Sequence, residues 1–388
     1  LSFFHWLDGK KGWRSFASGV ICVLIGLLAG FILMICLDPK NCWEGLVTLL
    51  TQGASDSSSI DRVIYKAIPM ILSGLSIAFS FKLGLFNIGI TSQVTIGAFV
   101  ALLLGIYGFD WYVCLVAAMM AGAAVGFVIG FLKARFNVNE VLSGIMLNWI
   151  IYYMIGLIGT LYLPGSYKNK TAPSFLKYMP AAGRLPSLGI SGMMGITVGL
   201  LIALFIVIAL QILLDRTVFG FELKLSGTNK FAAQYAGISQ TAKIILALII
   251  SGAVAGICGY MLYANPESPL QFRWDSGDKT LLADGFNGIS VSLIAQNSPV
   301  GCIFSSLLLT YIDSAQTSLK SVSDYYNIHY TELIKAIIIY VASFSSFINL
   351  LIQKWHGSHE EMSSFLALTP QRNENLKQPS QGSQKEAK

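Results

Sequence analysis

Six polar side chains fall inside or beside long apolar runs: Asn87, Gln93, Asn148, Asn287, Gln296 and Asp313. A charge at hydrocarbon depth costs about 2.5–3.5 kcal/mol on the insertion scale, so such a residue needs a partner, water or cargo. Amides and a carboxylate supply donors and acceptors without a nucleophile, the chemistry of a polar path across a bilayer. For each Asn and Gln the alternative is a helix–helix hydrogen bond or contact with water at a membrane surface. Asp313, within the apolar stretch 307–319, is read as part of the path, because an unpaired carboxylate there needs water or a partner. Hydrolytic chemistry is not indicated. Ser226-Gly227-Thr228-Asn229-Lys230 lacks the spacing of a phosphate-binding G-x-x-x-x-G-K-[ST] loop. His5, His329, His356 and His359 lie near the ends or in loops, and neither a His-Glu zinc motif nor a nucleophile elbow occurs. No catalytic residue and no metal ligand is assigned.

A second chemistry is recognition. The segment FELKLSGTNKFAAQYAGIS, residues 221–239, is polar, rich in Gly and Ala, and follows Asp215 and Arg216 at the end of an apolar run. A plain connector between membrane helices is one reading. Its make-up instead suggests a short helix with a small-residue face, Ala232-Ala233 and Ala236-Gly237, on which another protein could rest.

The elements that must hold these residues are membrane helices. The 388 residues are 54% hydrophobic and only 12% charged, against roughly 25% charged in soluble domains. Mean hydropathy is +0.64. The apolar runs reach about 18 residues or more, enough to cross a bilayer as helices. They are continuous, whereas barrel strands alternate in short segments. The expectation is an all-α polytopic membrane protein with about ten transmembrane helices: 17–37, 63–81, 94–109, 111–132, 139–163, 191–214, 243–264, 281–297, 299–319 and 331–352. The net charge of +6 is scattered among loops, which excludes a nucleic-acid face. Six cysteines sit mostly in apolar runs as small hydrophobes and form no disulfide or metal pattern, although Cys36 and Cys42 could approach each other near one membrane face. Small-residue runs at 122–130 and 251–259 suit close helix packing.

Two of the spans, 94–109 and 281–297, are short and follow Gly/Asn-rich breaks, GLFNIGITSQ at 84–93 and DGFNGIS at 284–290. Irregular backbone at membrane depth survives only when buried in protein or lining a cavity, and matched breaks in two halves point to a transport pathway. Phe86-Asn87 and Phe286-Asn287 suggest such repeats, residues 63–163 and 243–352. Basic residues in short loops orient the chain. Lys10, Lys11, Arg14, Lys133, Arg135, Arg216, Lys224, Lys230 and Lys243 fall on one side if the N-terminus is cytoplasmic. The loop 164–190, with four basic residues and no acid, runs against this assignment, but its length and four prolines make it a poor reporter. The resulting division is a cytoplasmic segment 1–16, a membrane domain 17–352 with the loop 215–242 on the cytoplasmic side, and a polar tail 353–388 expected to be disordered. The first apolar run is too long for a signal-peptide core and is read as a retained helix.

GLFNIGITSQVTIGAF at 84–99 resembles the GLFNIGxEGQ signature of permeases of bacterial ABC importers for nucleosides and simple sugars. VNEVLSGIMLNWI at 138–150 is similar to their VNEVxxxxMLNxI, residues 222–238 to their ELRAVGxNxxAAxYAGI, and residues 285–301 to their GFxGIAVALLGxxNPxG. The four matches keep their order and span about residues 60 to 350. The resemblance implies a ten-helix importer fold with two permease chains, in the long form unlike ones, above two ATPase domains that carry ATP and magnesium. It implies no cofactor on this chain, and an extracytoplasmic binding protein, usually a lipoprotein. It makes residues 221–238 the element that docks on the ATPase, with Glu222, Lys224, Gly227, Asn229, Ala233 and Gly237 at matching positions. Three departures stand out: Thr91-Ser92 for Glu-Gly, Lys224 for Arg, and Gln296-Asn297-Ser298 for a more basic stretch. Lys224 keeps the charge without Arg's bidentate geometry. The expected cargo is a nucleoside, with simple sugars as the alternative. A rival class is an ion-driven carrier using Asp313 and Glu140, which has no reason to make the polar loop in this form.

Overall fold

The computed structural model describes residues 11–169, 175–189, 193, 195–266, 271–273, 283–323, 325–326 and 328–343. The segments 1–10 and 353–388 lie outside the described residues, as do 344–352 of the last expected span. Helices dominate: α1 (Lys11–Leu37), α2 (Cys42–Thr51), α3 (Ser57–Phe81), α4 (Ile90–Ile106), α5 (Trp111–Phe136), α6 (Glu140–Leu161) and α7 (Val198–Arg216). There follow α8 (Val218–Thr228), α9 (Lys230–Tyr235), α10 (Gln240–Tyr263), α11 (Ala283–Ile294), α12 (Pro299–Ser314), α13 (Gln316–Val322) and α14 (Ile328–Ser343). Among the described residues the only strand-like pairings are isolated bridges, such as Lys168 with Leu176 and Ser187 with Thr197.

Among the described residues five helices, α3, α5, α6, α7 and α10, are long and apolar enough to cross a membrane, and the pair α11 and α12–α13, bent by 113°, makes a sixth if it is one broken span. Residues 21–37 of α1 and the whole of α4 are apolar but shorter. The protein is therefore multi-pass and all-α, while the figure of ten spans is not reached by length and composition alone. Local signals set the ends. Asp56 caps α3 by accepting from the Ser59 N–H at 2.9 Å, and Asn139 caps α6 by accepting from Val141 at 2.9 Å. α5 stops at Asn137 in the left-handed region.

The core is a seam between α5 and α10. A Cβ added to Gly126 would stand 2.1 Å from the Leu248 carbonyl oxygen, and one on Gly256 2.1 Å from that of Ala118. On the neighbouring side of α10, Gly259 meets the Val94 carbonyl of α4 as closely, at 2.1 Å. Small residues thus let three helices touch backbone to backbone, where lipid supplies no hydrophobic drive for association. A second cluster joins α1 to α12 and α14: Gly26 and Gly30 receive Ile338 and Ile334, and the Tyr330 hydroxyl donates to the Gly30 carbonyl at 2.5 Å.

Three sequence expectations need correction. DGFNGIS is not a break, because residues 284–290 lie inside α11. Its glycines serve close approach instead: a Cβ on Gly285 would lie 2.7 Å from the Thr91 Cα, and one on Gly288 2.1 Å from the Ser73 Oγ. The real interruption follows at 295–298, where Gln296 (φ 50°) and Asn297 (φ 56°) are left-handed and Ser298 caps α12. Phe86-Asn87 is irregular while Phe286-Asn287 is helical, so these dipeptides do not mark matching breaks. The seventh helix also begins at Val198 rather than 191.

Candidate functional site

The first break, residues 82–89, holds the site. α3 ends at Phe81, and Gly84 turns the chain with φ +75°, a conformation costly for any side chain. The backbone then runs to Gly89, the N-cap of α4. Helix N-termini carry N–H groups without intrahelical partners, and Asn148 of α6 takes one of them. Its Oδ1 accepts from the Ser92 N–H at 2.9 Å while its Nδ2 donates to the Ile88 carbonyl at 3.0 Å. Gly144, one turn earlier on α6, permits this approach: a Cβ there would sit 2.6 Å from the Gly89 nitrogen.

Asn87 organises the other side. Its Nδ2 reaches Gln93 Oε1 at 3.0 Å and the Ser251 Oγ of α10 at 2.9 Å. Ser251 and Ser76 of α3 face each other with their hydroxyl oxygens 2.9 Å apart, and each hydroxyl lies 2.8 Å from the other residue's carbonyl oxygen. Asn87, Gln93 and Asn148 are all but fully buried. The structure therefore brings three of the six expected path residues together and satisfies them within one chain. Ser76 and Ser251 complete the network and were not singled out from sequence, since a serine in a small-residue run reads as a packing residue. Beside them the Thr91 hydroxyl is buried without a hydrogen-bond partner among the described residues.

The other three lie apart. Asn287 is half-buried in α11, and Gln296 sits at the bend before α12. Asp313, in the last turn of α12, is ion-paired with Lys335 of α14 at 2.5 Å. It is not an unpaired carboxylate, and its partner comes from a helix that is remote in sequence. Glu140 is likewise paired, with Lys133 at 2.8 Å.

The polar segment forms two short helices, α8 and α9. Thr217 caps α8 by accepting from Gly220 at 3.1 Å, and Asn229 ends it while capping α9 by accepting from Ala232 at 3.0 Å. Leu223 and Ala233 are buried beneath them. Glu222 pairs with Lys243 of α10, whose ammonium also lies 4.8 Å from the Phe219 ring centre. Lys224 pairs with Asp215 at 3.1 Å. Gly227 seats the assembly on the first break: a Cβ there would stand 2.3 Å from the Lys82 carbonyl oxygen and 2.9 Å from the Leu83 carbonyl carbon. The Lys82 ammonium is held below its ordinary pKa, by burial first and then by the nearby Lys224 charge. Gly237, at φ +77°, turns the chain into α10. The outward surface is aromatic as well as small. Ala232, Ala236 and Gly237 are exposed, but Phe231 (73% exposed) and Tyr235 (94%) project one helical turn apart, while Ala233 faces inward.

Comparison with known proteins adds the following. Residues 59–343 match the family described as branched-chain amino acid transport system / permease component. The chain is 33% identical over 297 residues to the guanosine ABC transporter permease protein NupP of Bacillus subtilis, covering 75% of this chain and 82% of that protein. It is 28% identical over 312 residues to the nucleoside ABC transporter permease protein NupB of Lactococcus lactis, covering 78% and 84%. It is 26% identical over 332 residues to the glucose ABC transporter permease protein TsgB13 of Haloferax volcanii, covering 81% and 84%. No solved structure matches the chain.

Proposed function

The chain belongs to the branched-chain amino acid transport system permease-component family, and from that premise we propose that it is the permease of an ATP-driven importer that carries nucleosides. It is a multi-pass membrane transport component, and ATP with its magnesium is assigned to a separate ATPase chain. The observation that carries the reading is the seat of Gly227 on Lys82 and Leu83. A paired helical element with projecting aromatics rests on an irregular backbone that leads, within ten residues, to the Asn87, Gln93 and Asn148 network.

Mechanistically, closure of the ATPase would push on residues 221–238, which lie at the cytoplasmic end in this reading. Gly227 passes the displacement to residues 82–84, because a backbone-to-backbone contact has no side chain to absorb it. The break then shifts against α6 through Asn148 and against α10 through Asn87 and Ser251. Re-pairing of these amides and hydroxyls would let α4 and α6 move between outward- and inward-open arrangements. A second permease chain completes the pathway, and an extracytoplasmic binding lipoprotein supplies affinity, so the membrane path needs only weak polar contacts.

Nucleosides are favoured by the guanosine and nucleoside permeases among the relatives, and simple sugars are the second reading, favoured by the glucose permease. The test is uptake into liposomes by this chain assembled with its second permease, ATPase and binding protein. Guanosine uptake that requires ATP supports the proposal. Uptake by this chain alone, driven by an ion gradient, refutes it.

A further inference from the structure

The exposed helix faces are not alike. On α5 the outward side chains include Val116, Met120 and Val128, and on α7 Leu201, Phe205 and Ile208, all apolar, without a hydrogen-bond donor, and suited to lipid. The outward face of α6 carries Trp149 (36% exposed) and Tyr153 (55% exposed). At 1.5 Å per residue, α6 is about 33 Å long, and these two lie about 14 and 20 Å from its first residue, astride the middle of the bilayer. Trp and Tyr belong at the two membrane surfaces, where an apolar ring meets lipid and the polar tip meets water. At mid-depth a lipid neighbour would leave the indole N–H and phenol O–H without partners. This face therefore meets something flat and apolar that also bears polar groups.

The two rings form a ready stack, with centroids 6.0 Å apart and planes 26° from parallel. Tyr152 braces both edge-on, at 6.0 Å from Trp149 and 5.3 Å from Tyr153. Gly156, three residues past Tyr153, leaves the same face without a side chain. Immediately before Trp149 stands Asn148, which ties α6 to the break. Three of the amides expected to line the path, Asn87, Gln93 and Asn148, are sealed inside the chain, whereas the rings of Trp149 and Tyr153 are open on its outer face.

We propose that Trp149 and Tyr153 form a stacking platform for the base of the transported nucleoside, at the middle of the membrane on the exposed face of α6. The base extends the ring stack, its ring nitrogens and exocyclic groups meet the indole and phenol tips, and the ribose occupies the space at Gly156. Displacement of the break through Asn148 moves the platform and releases the base. The platform rests on the nucleoside reading above.

The test uses the complete importer in liposomes, with guanosine and glucose as separate cargoes and 8-azidoguanosine as a photolabel. Trp149→Ala and Tyr153→Ala should each cut guanosine uptake per ATP hydrolysed about tenfold, the size of a lost base–aromatic stack. Trp149→Phe, which keeps a ring, should restore uptake to within about twofold, and photolabel should attach to α6 in the unaltered protein. ATP hydrolysis and membrane insertion should be unchanged in all variants. Guanosine uptake at the original rate by both alanine variants would overturn the platform while leaving the nucleoside reading intact. Glucose uptake without guanosine uptake by the unaltered importer would overturn that reading itself. A Tyr153→Cys variant that cross-links to the second permease whether or not guanosine is present would show the face to be a protein interface, and would also overturn the platform.

Discussion

Ser251 and Gly252 are neighbours on α10, yet they face two different kinds of interface. Gly252 meets α5, where a Cβ would lie 2.4 Å from the Gly122 carbonyl oxygen. Ser251 meets α3 and the break, where it bonds Ser76 and Asn87. At its glycines the first interface is backbone against backbone, with no side chain between the helices at Gly122, Gly126, Gly252 and Gly256. The second is a set of hydroxyls and amides that can exchange partners at small cost, provided each finds another. The contrast makes α5 and α10 one rigid body and makes the joint around residues 82–93 the place where movement is possible. Gly227 presses on that joint and not on the seam.

The contrast is broken most directly at the seam. Gly126→Val places a side chain 2.1 Å from the Leu248 carbonyl oxygen, a clash that only separation of the helices relieves. Overpacking alone costs about 1–3 kcal/mol, and with backbone on both sides a loss above about 4 kcal/mol is expected. The measurement is the yield of monodisperse protein in detergent and its thermal unfolding. An unchanged midpoint would mean that the seam yields and is no rigid body.

Gly227→Val tests the joint from outside. Its Cβ would lie 2.3 Å from the Lys82 carbonyl oxygen, but α8 lies at the end of the bundle and can lift. We expect a stability loss of about 1–3 kcal/mol together with a fall in uptake of more than tenfold, which corresponds to above about 1.4 kcal/mol in the barrier. ATP hydrolysis by the assembled complex should continue. Equal loss of hydrolysis and uptake would place the defect in docking instead of transmission.

How much of this was legible follows the same division. Hydropathy and small-residue runs at 122–130 and 251–259 foretold the helices and the seam, because close packing of membrane helices leaves a local composition. The first break was legible from its Gly and Asn residues. The second was misplaced onto DGFNGIS, because a glycine that admits a neighbouring helix looks the same in sequence as one that ends its own. Gln296-Asn297-Ser298-Pro299 carried the correct signals: residues tolerant of the left-handed region, then a cap, then Pro at the first helical position. The partners of the polar residues were not legible. Asn148 lies 56 residues from Ser92, and Asp313 meets Lys335 across two helices. Nothing local in the sequence encodes such pairings.

Inside the joint, Asn87→Ala removes the donor to both Gln93 and Ser251. Two buried groups then lose a partner, so a destabilisation of about 1–3 kcal/mol is expected. Ser251→Ala should cost less, because Ser76 retains the Ser251 carbonyl at 2.8 Å. The sharper measurement is the double-mutant cycle, with an interaction energy of about 0.5–3 kcal/mol if the two side chains act as one latch. Strict additivity would reduce the network to ordinary packing and leave the joint without its distinguishing feature.

The smallest effect belongs to Lys224, whose ion pair with Asp215 leaves both side chains nearly half exposed. Lys224→Ala should change stability by less than about 1 kcal/mol, since exposed pairs of this kind gain little against solvent and salt. Its informative consequence concerns Lys82. Burial, and then the Lys224 charge, hold the Lys82 ammonium below its ordinary pKa of 10.5. Between that lowered value and 10.5 the unfolded chain binds the proton that the folded chain has released, so stability rises with pH across this window. Removing Lys224 takes away the second of the two causes and narrows the window from below. Unfolding followed from pH 8 to 11 should therefore show a shallower rise for the variant than for the parent. A rise of the same slope in both would mean that Lys224 does not reach the joint electrostatically, and that α8 touches it only through the backbone contact at Gly227.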